Sequence, residues 1–517
     1  MRSTSVAALL GLAAPALASP LAPRGAPDAE KAQAVEEAYR FSWKGYYDYA
    51  FPNDTLAPLN KSYVNDRNRW GVTAIDSLSA GILLRDSESV HQILEFVPTI
   101  DFTTTVEVNE DISLFETNIR YLGGLISGYD LLKGPFADLV DDSKLVDNLL
   151  AQAVSLADTL SFAFDTPSGI PDPVLVLNPE PRRNGSTSNN IAECGTLVLE
   201  WTRLSDLTGD DKYAKLAQKA QDHLINPNKE GEPFPGLTGT FVSIEDGKFI
   251  DAKGGWGGYT DSFYEYLIKM YLYDPVAFES YKDRWIKAAD STMEYLTSHP
   301  TTREDLTFLA QYQGQQIIPS SSHLASFAGG NFFLGGILLG EQKYIDYALN
   351  VTNSYFEPYR QTAAGIGPEG FRWVASEIPE DGEFNKPPAE EDAAFYEKAG
   401  FWASSPQYIL RPETMESIYY AYRVTGDKKW QDMAWTAFQS IESQCKIDIS
   451  FAGLNDVTVD ASEGGHIDKM ESFWITETLK YIWLIFADED VPMHIHADKP
   501  MTWVYNTEAH PVQIRGQ

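Results

Sequence analysis

Carboxylates stand at the heads of apolar helical stretches at five widely separated places in this chain. They occur in Phe115-Glu116-Thr117, Ala192-Glu193-Cys194, Thr260-Asp261-Ser262, Pro412-Glu413-Thr414 and Met470-Glu471-Ser472. An ionised group beside apolar sequence is costly to bury unless it is hydrogen-bonded, paired, metal-bound or used in chemistry. Five such groups imply helix ends that converge on one polar cavity. Between them apolar residues recur at helical spacing, as in Ile119, Leu122, Leu125 and Ile126, or Leu197, Trp201 and Leu204. Thr208-Gly209-Asp210 and Thr425-Gly426-Asp427 each stop one helix and start another, glycine closing and aspartate capping. These segments lie on average about 60 to 90 residues apart, room for two helices and a loop. With further helices near Trp70 and His323, they add up to about seven helical hairpins.

The fold class expected is therefore all-α, a closed α/α barrel, because an open solenoid would not gather the polar groups in one place. A small hairpin is expected from residues 239–242 and 249–250, with short strands at 174–176 and 503–505. Residues 379–392, acidic and proline-rich, are expected to form an exposed loop. No linker divides the chain, so the reading is one domain over residues 35–511. A signal peptide (1–19) and an extension (20–34) precede it, and a tail (512–517) follows.

Of the 517 residues, 74 are acidic and 40 basic, a net charge of −34. That balance argues against nucleic acid and anionic membranes as partners, since both need basic surface. Arg2 followed by an apolar run of about 14 residues, ending in Ala16-Leu17-Ala18, reads as a secretory signal too short to span a bilayer. Asn53, Asn60, Asn184 and Asn350 begin Asn-x-Ser/Thr triplets, candidate glycosylation sites on a chain in the secretory pathway. A secreted or Golgi-lumenal monomer is expected. The chain has two cysteines, Cys194 and Cys445. A buried free thiol is expected at Cys194, with a pairing of the two left open.

Paired carboxylates suit glycoside hydrolysis, in which one protonates the leaving oxygen and a second attacks or activates water from the opposite face. The competing reading is a buried acidic network that fixes helix packing in a structural scaffold. The order of several segments decides between them. Trp70 with Ala74-Ile75-Asp76-Ser77-Leu78, Phe115-Glu116-Thr117-Asn118-Ile119-Arg120 and Phe164-Asp165-Thr166-Pro167 come first. Asp261-Ser262-Phe263-Tyr264-Glu265, His323-Leu324, Gly367-Pro368-Glu369 and Leu410-Arg411-Pro412-Glu413-Thr414-Met415-Glu416 follow. Glu471-Ser472-Phe473 and Asn506-Thr507-Glu508-Ala509-His510-Pro511 complete the series. This pattern resembles the class I α-mannosidases of glycoside hydrolase family 47, from about Val35 to Pro511.

The resemblance implies an (α/α)7 barrel and an inverting, calcium-dependent exo-hydrolase that removes terminal α-1,2-linked mannose from high-mannose N-glycans. It implies Glu116 and Asp261 as the acidic catalytic groups, with Glu116 the favoured proton donor through a water, and Glu413 as the base. Thr507 would bind Ca2+ through its carbonyl and hydroxyl oxygens. Glu369, Glu416, Glu471 and Glu508 would hold the waters around the ion. Arg120, Glu265, His323, Glu369, Arg411, Glu416, Glu471 and Phe473 would contact substrate, with Trp373 a further candidate wall and Phe263 ordinary core. A non-hydrolytic mannose-binding relative that acts in glycoprotein degradation is the nearest alternative. A zinc site from His494, His496 and His510 is a remote one, because nothing completes the set. Two departures stand out. Ser326 and the region of Ser354 replace the cysteines of a bridge many members carry. Gly257-Gly258-Tyr259-Thr260 stands where endoplasmic-reticulum members have an Arg-Gly pair, which implies broader trimming.

Overall fold

The computed structural model describes residues 25–379 and 382–517. Fourteen helices build its frame: α1 (Ala29–Tyr49), α2 (Val72–Leu83), α3 (Ser87–Phe96), α4 (Gly123–Lys133), α5 (Ser143–Leu160), α6 (Val198–Thr208) and α7 (Lys212–Ile225) form the first half. Then come α8 (Asp261–Tyr273), α9 (Glu279–Ser291), α10 (Ala328–Leu339), α11 (Gln342–Tyr355), α12 (Glu413–Thr425), α13 (Lys428–Cys445) and α14 (Leu479–Phe486).

Each even-numbered helix packs on an odd-numbered one, α14 against α1 and the rest against the helix that follows. The even helices also touch one another in the cyclic order α2, α4, α6, α8, α10, α12, α14, and the π-helical turn Trp474–Thr478 that leads into α14 returns to α2. The ring is closed: seven inner helices within seven outer ones, an (α/α)7 barrel. Position explains composition. Every residue of α2 is buried, as is nearly all of α8, whereas outer α7 buries Tyr213, Ala217, Ala220, Gln221 and Leu224 on one stripe. Gly209 and Gly426, both left-handed, end α6 and α12 as the Thr-Gly-Asp motifs predict.

The strands are short and antiparallel. Trp503–Tyr505 pairs with Pro511–Gln513, so residues 506–510 form the tip of a hairpin set against inner helices α4 and α8. Val174–Val176 lies between Ile112–Ser113 and Arg182–Arg183, and Ile112–Ser113 runs straight into the segment that carries Glu116. The expected 239–250 hairpin is only partly realised: Phe241–Ser243 pairs with Ser188–Asn190 and meets Phe249 through a single bridge at Val242.

The expected domain edges shift at both ends. Asp28 caps α1, whose first turn therefore lies inside the supposed extension, and residues 512–513 belong to the closing hairpin. The signal segment lies outside the described residues, as do residues 380–381 of the acidic loop, which gives way to a helix at Glu390. No described helix is long and apolar enough to cross a membrane.

Cys194 and Cys445 are buried free thiols. The two serines at the missing bridge belong to separate networks. Ser326 accepts from Thr414 Oγ1 at 2.9 Å, and Ser354 accepts from the Thr307 amide at 2.8 Å. Asn184 and Asn350 are exposed, whereas Asn53 is half-buried and donates to the Ala50 carbonyl at 2.9 Å. The Asn60 amide side chain is engaged by Asp468.

Candidate active site

Glu116, Asp261, Glu413 and Thr507 line one cavity of about 290 Å³, together with Arg120, Glu193, Arg411, Phe473, Glu477 and Glu508. Barrel geometry explains the meeting. Asp261 and Glu413 are the first residues of inner helices α8 and α12, so both helices open at the same end of the ring. Glu265 and Glu416 follow one turn later on the same faces. Glu116 ends a short helical turn capped by Ser113, and the chain continues through a π-helical turn, Thr117–Leu122, into α4. A second π-turn, Trp474–Thr478, carries Glu477. Such turns gather at functional sites because they break the regular ladder.

Arg120 and Arg411 organise the carboxylates. Arg120 Nε donates to Glu116 Oε2 at 2.7 Å, Nη2 pairs with Glu508 Oε1 at 3.0 Å, and Nη1 donates to Ser472 Oγ at 3.0 Å. Arg411 Nε donates to Glu369 Oε2 at 2.6 Å, and Nη1 reaches Glu413 Oε1 at 3.4 Å. The Phe473 ring centroid lies 5.5 Å from the Arg120 guanidinium and 5.8 Å from that of Arg411, a double cation–π contact that fixes both. His323 offers Nδ1 to Glu413 Oε2 at 2.9 Å and Nε2 to the Tyr359 hydroxyl at 2.7 Å.

These contacts divide the acids. Burial pushes Asp261 up, the charges of Glu265 and Glu413 add to it, and its carboxyl reaches about 7. Burial also raises Glu116, but Arg120 and Arg67 outweigh it and hold the group down to about 2. Burial is likewise overcome at Glu413, where Arg411 and His323 keep the carboxylate ionised below its ordinary value. Pairs of carboxyls driven apart in this way mark acid and base roles.

Thr507 Oγ1 donates to Glu265 Oε2 at 2.8 Å, and Glu265 is ion-paired with Lys269. The loop that carries Thr507 is pinned from below. Asn506 Oδ1 accepts from the amides of Glu508 and His510, at 2.9 and 2.8 Å. Lys480 Nζ donates to the Ala509 carbonyl at 2.6 Å, and His510 Nε2 lies 3.0 Å from Asp76. Burial pushes Glu416 and Glu508 up to about 8 each, and Glu477 well up, with the Glu508 charge adding to Glu477. Glu508 Oε2 is buried without a hydrogen-bond partner. A crowd of hard carboxylate oxygens with an orphaned oxygen beside Thr507 fits a hard cation such as calcium. Among the described residues no three His, Cys, Asp or Glu side chains converge closely enough to hold a metal directly. Thr507 and waters would therefore complete such a shell.

Several expected residues lie elsewhere. Glu369 pairs with Arg411 and is not part of the pocket lining, and its carbonyl accepts from the His323 amide at 3.0 Å. Glu471 turns to Lys469 at 2.8 Å, which also pairs with Asp66. Trp373 is buried core, bonded to Ser298, and Phe263 is core as expected. His494 faces Tyr419 and the Asp488 carbonyl, whereas His510 lies between Ser79 and Asp76.

Three charged groups in the pocket or bonded to residues around it escape a reading of motifs. Glu477 sits four residues after Phe473, a spacing that puts both on one helical face and could have revealed it. Arg67 Nη2 reaches Glu116 Oε1 at 3.4 Å from far off in sequence, and no local signal marks it. Fully buried Glu200 accepts from Tyr266 at 2.6 Å and Asn506 at 2.9 Å, hidden inside an ordinary helix.

Residues 38–514 match the sequence profile of glycosyl hydrolase family 47. The chain belongs to this family. It is 49% identical over 486 residues to mannosyl-oligosaccharide α-1,2-mannosidase 1B of Emericella nidulans, covering 94% of this chain and 93% of that one. The Penicillium citrinum mannosyl-oligosaccharide α-1,2-mannosidase is 48% identical, over 94% of this chain and 92% of its own. The solved α-1,2-mannosidase of Trichoderma reesei superposes with a TM-score of 0.92 at 56% identity, over 95% of this chain and 100% of that one. As a family 47 member, the chain is a glycoside hydrolase, and its pocket carboxylates are the groups available for that chemistry.

Proposed function

We propose that the protein is an inverting, calcium-dependent exo-α-1,2-mannosidase that trims terminal mannose from high-mannose N-glycans in the secretory pathway. The observation that carries the reading is the opposed ionisation of Asp261 and Glu413 in the pocket that also holds Thr507. Asp261, protonated up to about pH 7, donates its proton to the departing glycosidic oxygen. Glu413, kept anionic and oriented by His323 and Arg411, takes a proton from the water that attacks the anomeric carbon from the opposite face. Glu116, a fixed anion between Arg67 and Arg120, supports positive charge as it grows on the sugar ring. This assignment moves the donor role from Glu116, favoured by resemblance, to Asp261, because two guanidinium groups oppose protonation of Glu116.

Calcium held at Thr507 would bind and polarise sugar hydroxyls. The names of the relatives above support the substrate class and linkage. The signal-like N-terminus, together with exposed Asn184 and Asn350, supports the secretory location. Proton NMR of the first-formed sugar from a high-mannose glycan tests the whole reading. Released β-mannose that disappears with a chelator and returns with calcium is expected. First-formed α-mannose would overturn inversion, chelator-resistant release would overturn the metal, and no release would favour a mannose-binding relative without hydrolysis.

A further inference from the structure

Glu200 is fully buried in α6, within the apolar run Leu197-Val198-Leu199-Glu200-Trp201, and does not line the catalytic pocket. A leucine would pack there at less cost, since a buried carboxyl gives up its water. The carboxyl instead makes two bonds through one oxygen. Glu200 Oε1 accepts from the Tyr266 hydroxyl at 2.6 Å and from Asn506 Nδ2 at 2.9 Å. Both partners hold the closing hairpin that carries Thr507.

Tyr266, on α8, passes the contact on. Its proton goes to Glu200, which leaves its oxygen to accept from the Thr507 amide at 3.2 Å. Asn506 is bonded at every polar group. Its Nδ2 also donates to the Ile119 carbonyl at 3.0 Å, in the π-turn that follows Glu116. Its Oδ1 accepts from the Glu508 and His510 amides, its own amide donates to the His510 carbonyl at 2.9 Å, and its carbonyl accepts from Lys269 Nζ at 3.3 Å. Gly123 makes room for this side chain, because a Cβ there would lie 2.5 Å from Asn506 Nδ2. An asparagine amide has a donor end and an acceptor end. With Nδ2 held by Glu200 and Ile119, Oδ1 must face the amides of the tip. The backbone on both sides of Thr507 is thereby fixed.

We infer that Glu200 is a positioning residue for calcium: through Tyr266 and Asn506 it orders the backbone around Thr507, so that Thr507 meets the ion already in place. This rests on the calcium reading proposed above. Burial pushes the Glu200 carboxyl up to about 7, so an uncharged acceptor suffices in mildly acid solution, and its Oε2 has no hydrogen-bond partner to lose. Glutamine can therefore stand in for Glu200, whereas leucine cannot. Groups that orient a metal's ligands from behind govern affinity by about 10- to 100-fold.

Calorimetry with calcium as titrant, on the full-length protein stripped by chelator and kept well below its Tm, tests the role. Glu200→Leu is expected to weaken calcium binding about 10- to 100-fold. Glu200→Gln should keep it within about threefold, and Tyr266→Phe, which removes only the relaying hydroxyl, should weaken it about 3- to 10-fold. Gly335→Ala, destabilised between α9 and α10, is the control and should keep wild-type calcium affinity. The second probe is a mannose-configured iminosugar in saturating calcium. Glu200→Leu should bind it within about threefold of wild type, because Glu200 does not line the pocket. Wild-type calcium affinity in Glu200→Leu overturns the positioning role and leaves the metal reading intact. An equal calcium loss in Glu200→Gln or Gly335→Ala, or iminosugar binding lost with the ion in place, also overturns it. If leucine prevents folding, wild-type calcium affinity in Tyr266→Phe overturns it instead. A wild-type protein that takes up no calcium overturns the metal reading itself, and the role of Glu200 with it.

Discussion

Asp261 and Glu116 line the same pocket with their acidities driven in opposite directions, to about 7 and to about 2. Position accounts for the split. Asp261 has no guanidinium bonded to it and faces two other carboxylates, whereas Glu116 is held by Arg120 and approached by Arg67. A general acid works while protonated, so kcat/KM should fall as pH rises through about 7. Asp261→Asn is expected to lower kcat by about 10²- to 10⁴-fold. Glu116→Gln should also slow turnover while keeping the alkaline limb near pH 7 in its profile. Loss of that limb in Glu116→Gln, with its retention in Asp261→Asn, would return the donor role to Glu116.

The base makes the opposite pH demand. Glu413 works while ionised, and Arg411 and His323 hold it below the ordinary glutamate range. Activity should therefore persist to pH values under that range and then decline as the carboxylate protonates. Glu413→Gln is expected to abolish turnover, a loss of at least about 10²-fold, with iminosugar affinity retained in calorimetry. His323→Ala removes the 2.9 Å contact and should move the acid limb upward, a change a purely structural histidine would not cause.

The frame of this molecule was legible because its rules are local. Thr208-Gly209-Asp210 and Thr425-Gly426-Asp427 mark real helix junctions, and the repeat of helix pairs gives the count of seven. The first residues of α8 and α12 were legible as site groups for the same reason: a carboxylate opening a strongly apolar, almost wholly buried helix has few other uses. What sequence hid was contact at a distance. Arg67 reaches Glu116 only because the loop before α2 wraps Asp54, whose carboxylate accepts from the amides of Arg67, Arg69 and Gly71. Glu471 and Glu477 are equally acidic in sequence, and the π-turn after Phe473 decides which faces the pocket. The pairing of Phe241 with Asn190 rather than with Phe249 likewise depends on what the barrel brings alongside.

Packing of the inner ring gives a test independent of chemistry. A Cβ on Gly335 in α10 would lie 2.0 Å from the ring of Trp285 on α9. That ring cannot give way, since it is fully buried and its Nε1 donates to Asn331 at 2.8 Å. Gly335→Ala should cost about 1 to 3 kcal/mol by overpacking. A lowered urea midpoint with an unchanged pH–rate profile is expected, and a midpoint equal to wild type would show that the two helices can part without cost.

Calcium should also bind in proportion to Thr507, and its removal should set the pH dependence of stability. Thr507→Ala is expected to weaken calcium binding sharply in calorimetry, and unchanged affinity would remove the residue from the site. Without the ion, Asp261 and Glu200 near 7 and Glu416 and Glu508 near 8 all have raised folded-state values, burial being the main cause. In the unfolded chain such groups lose their protons near pH 4. Between roughly pH 4.5 and 7 the folded state therefore holds protons that the unfolded state has released, and stability falls as pH rises. His510, buried and pulled down, acts the other way below its ordinary value and is outnumbered by these acids, to which Glu477 adds. Lys480, lowered by burial to about 7, opposes the trend only above this window, and depressed Glu116 and Glu413 matter only below it. The urea midpoint in chelator should thus be higher at pH 5 than at pH 7. Saturating calcium should remove most of that difference, because a cation at 100 times its Kd adds ~2.7 kcal/mol and favours the ionised carboxylates. A midpoint in chelator that instead rises from pH 5 to pH 7 would mean that these acids are already ionised in the empty pocket, and the case for a cation resting on their repulsion would fail.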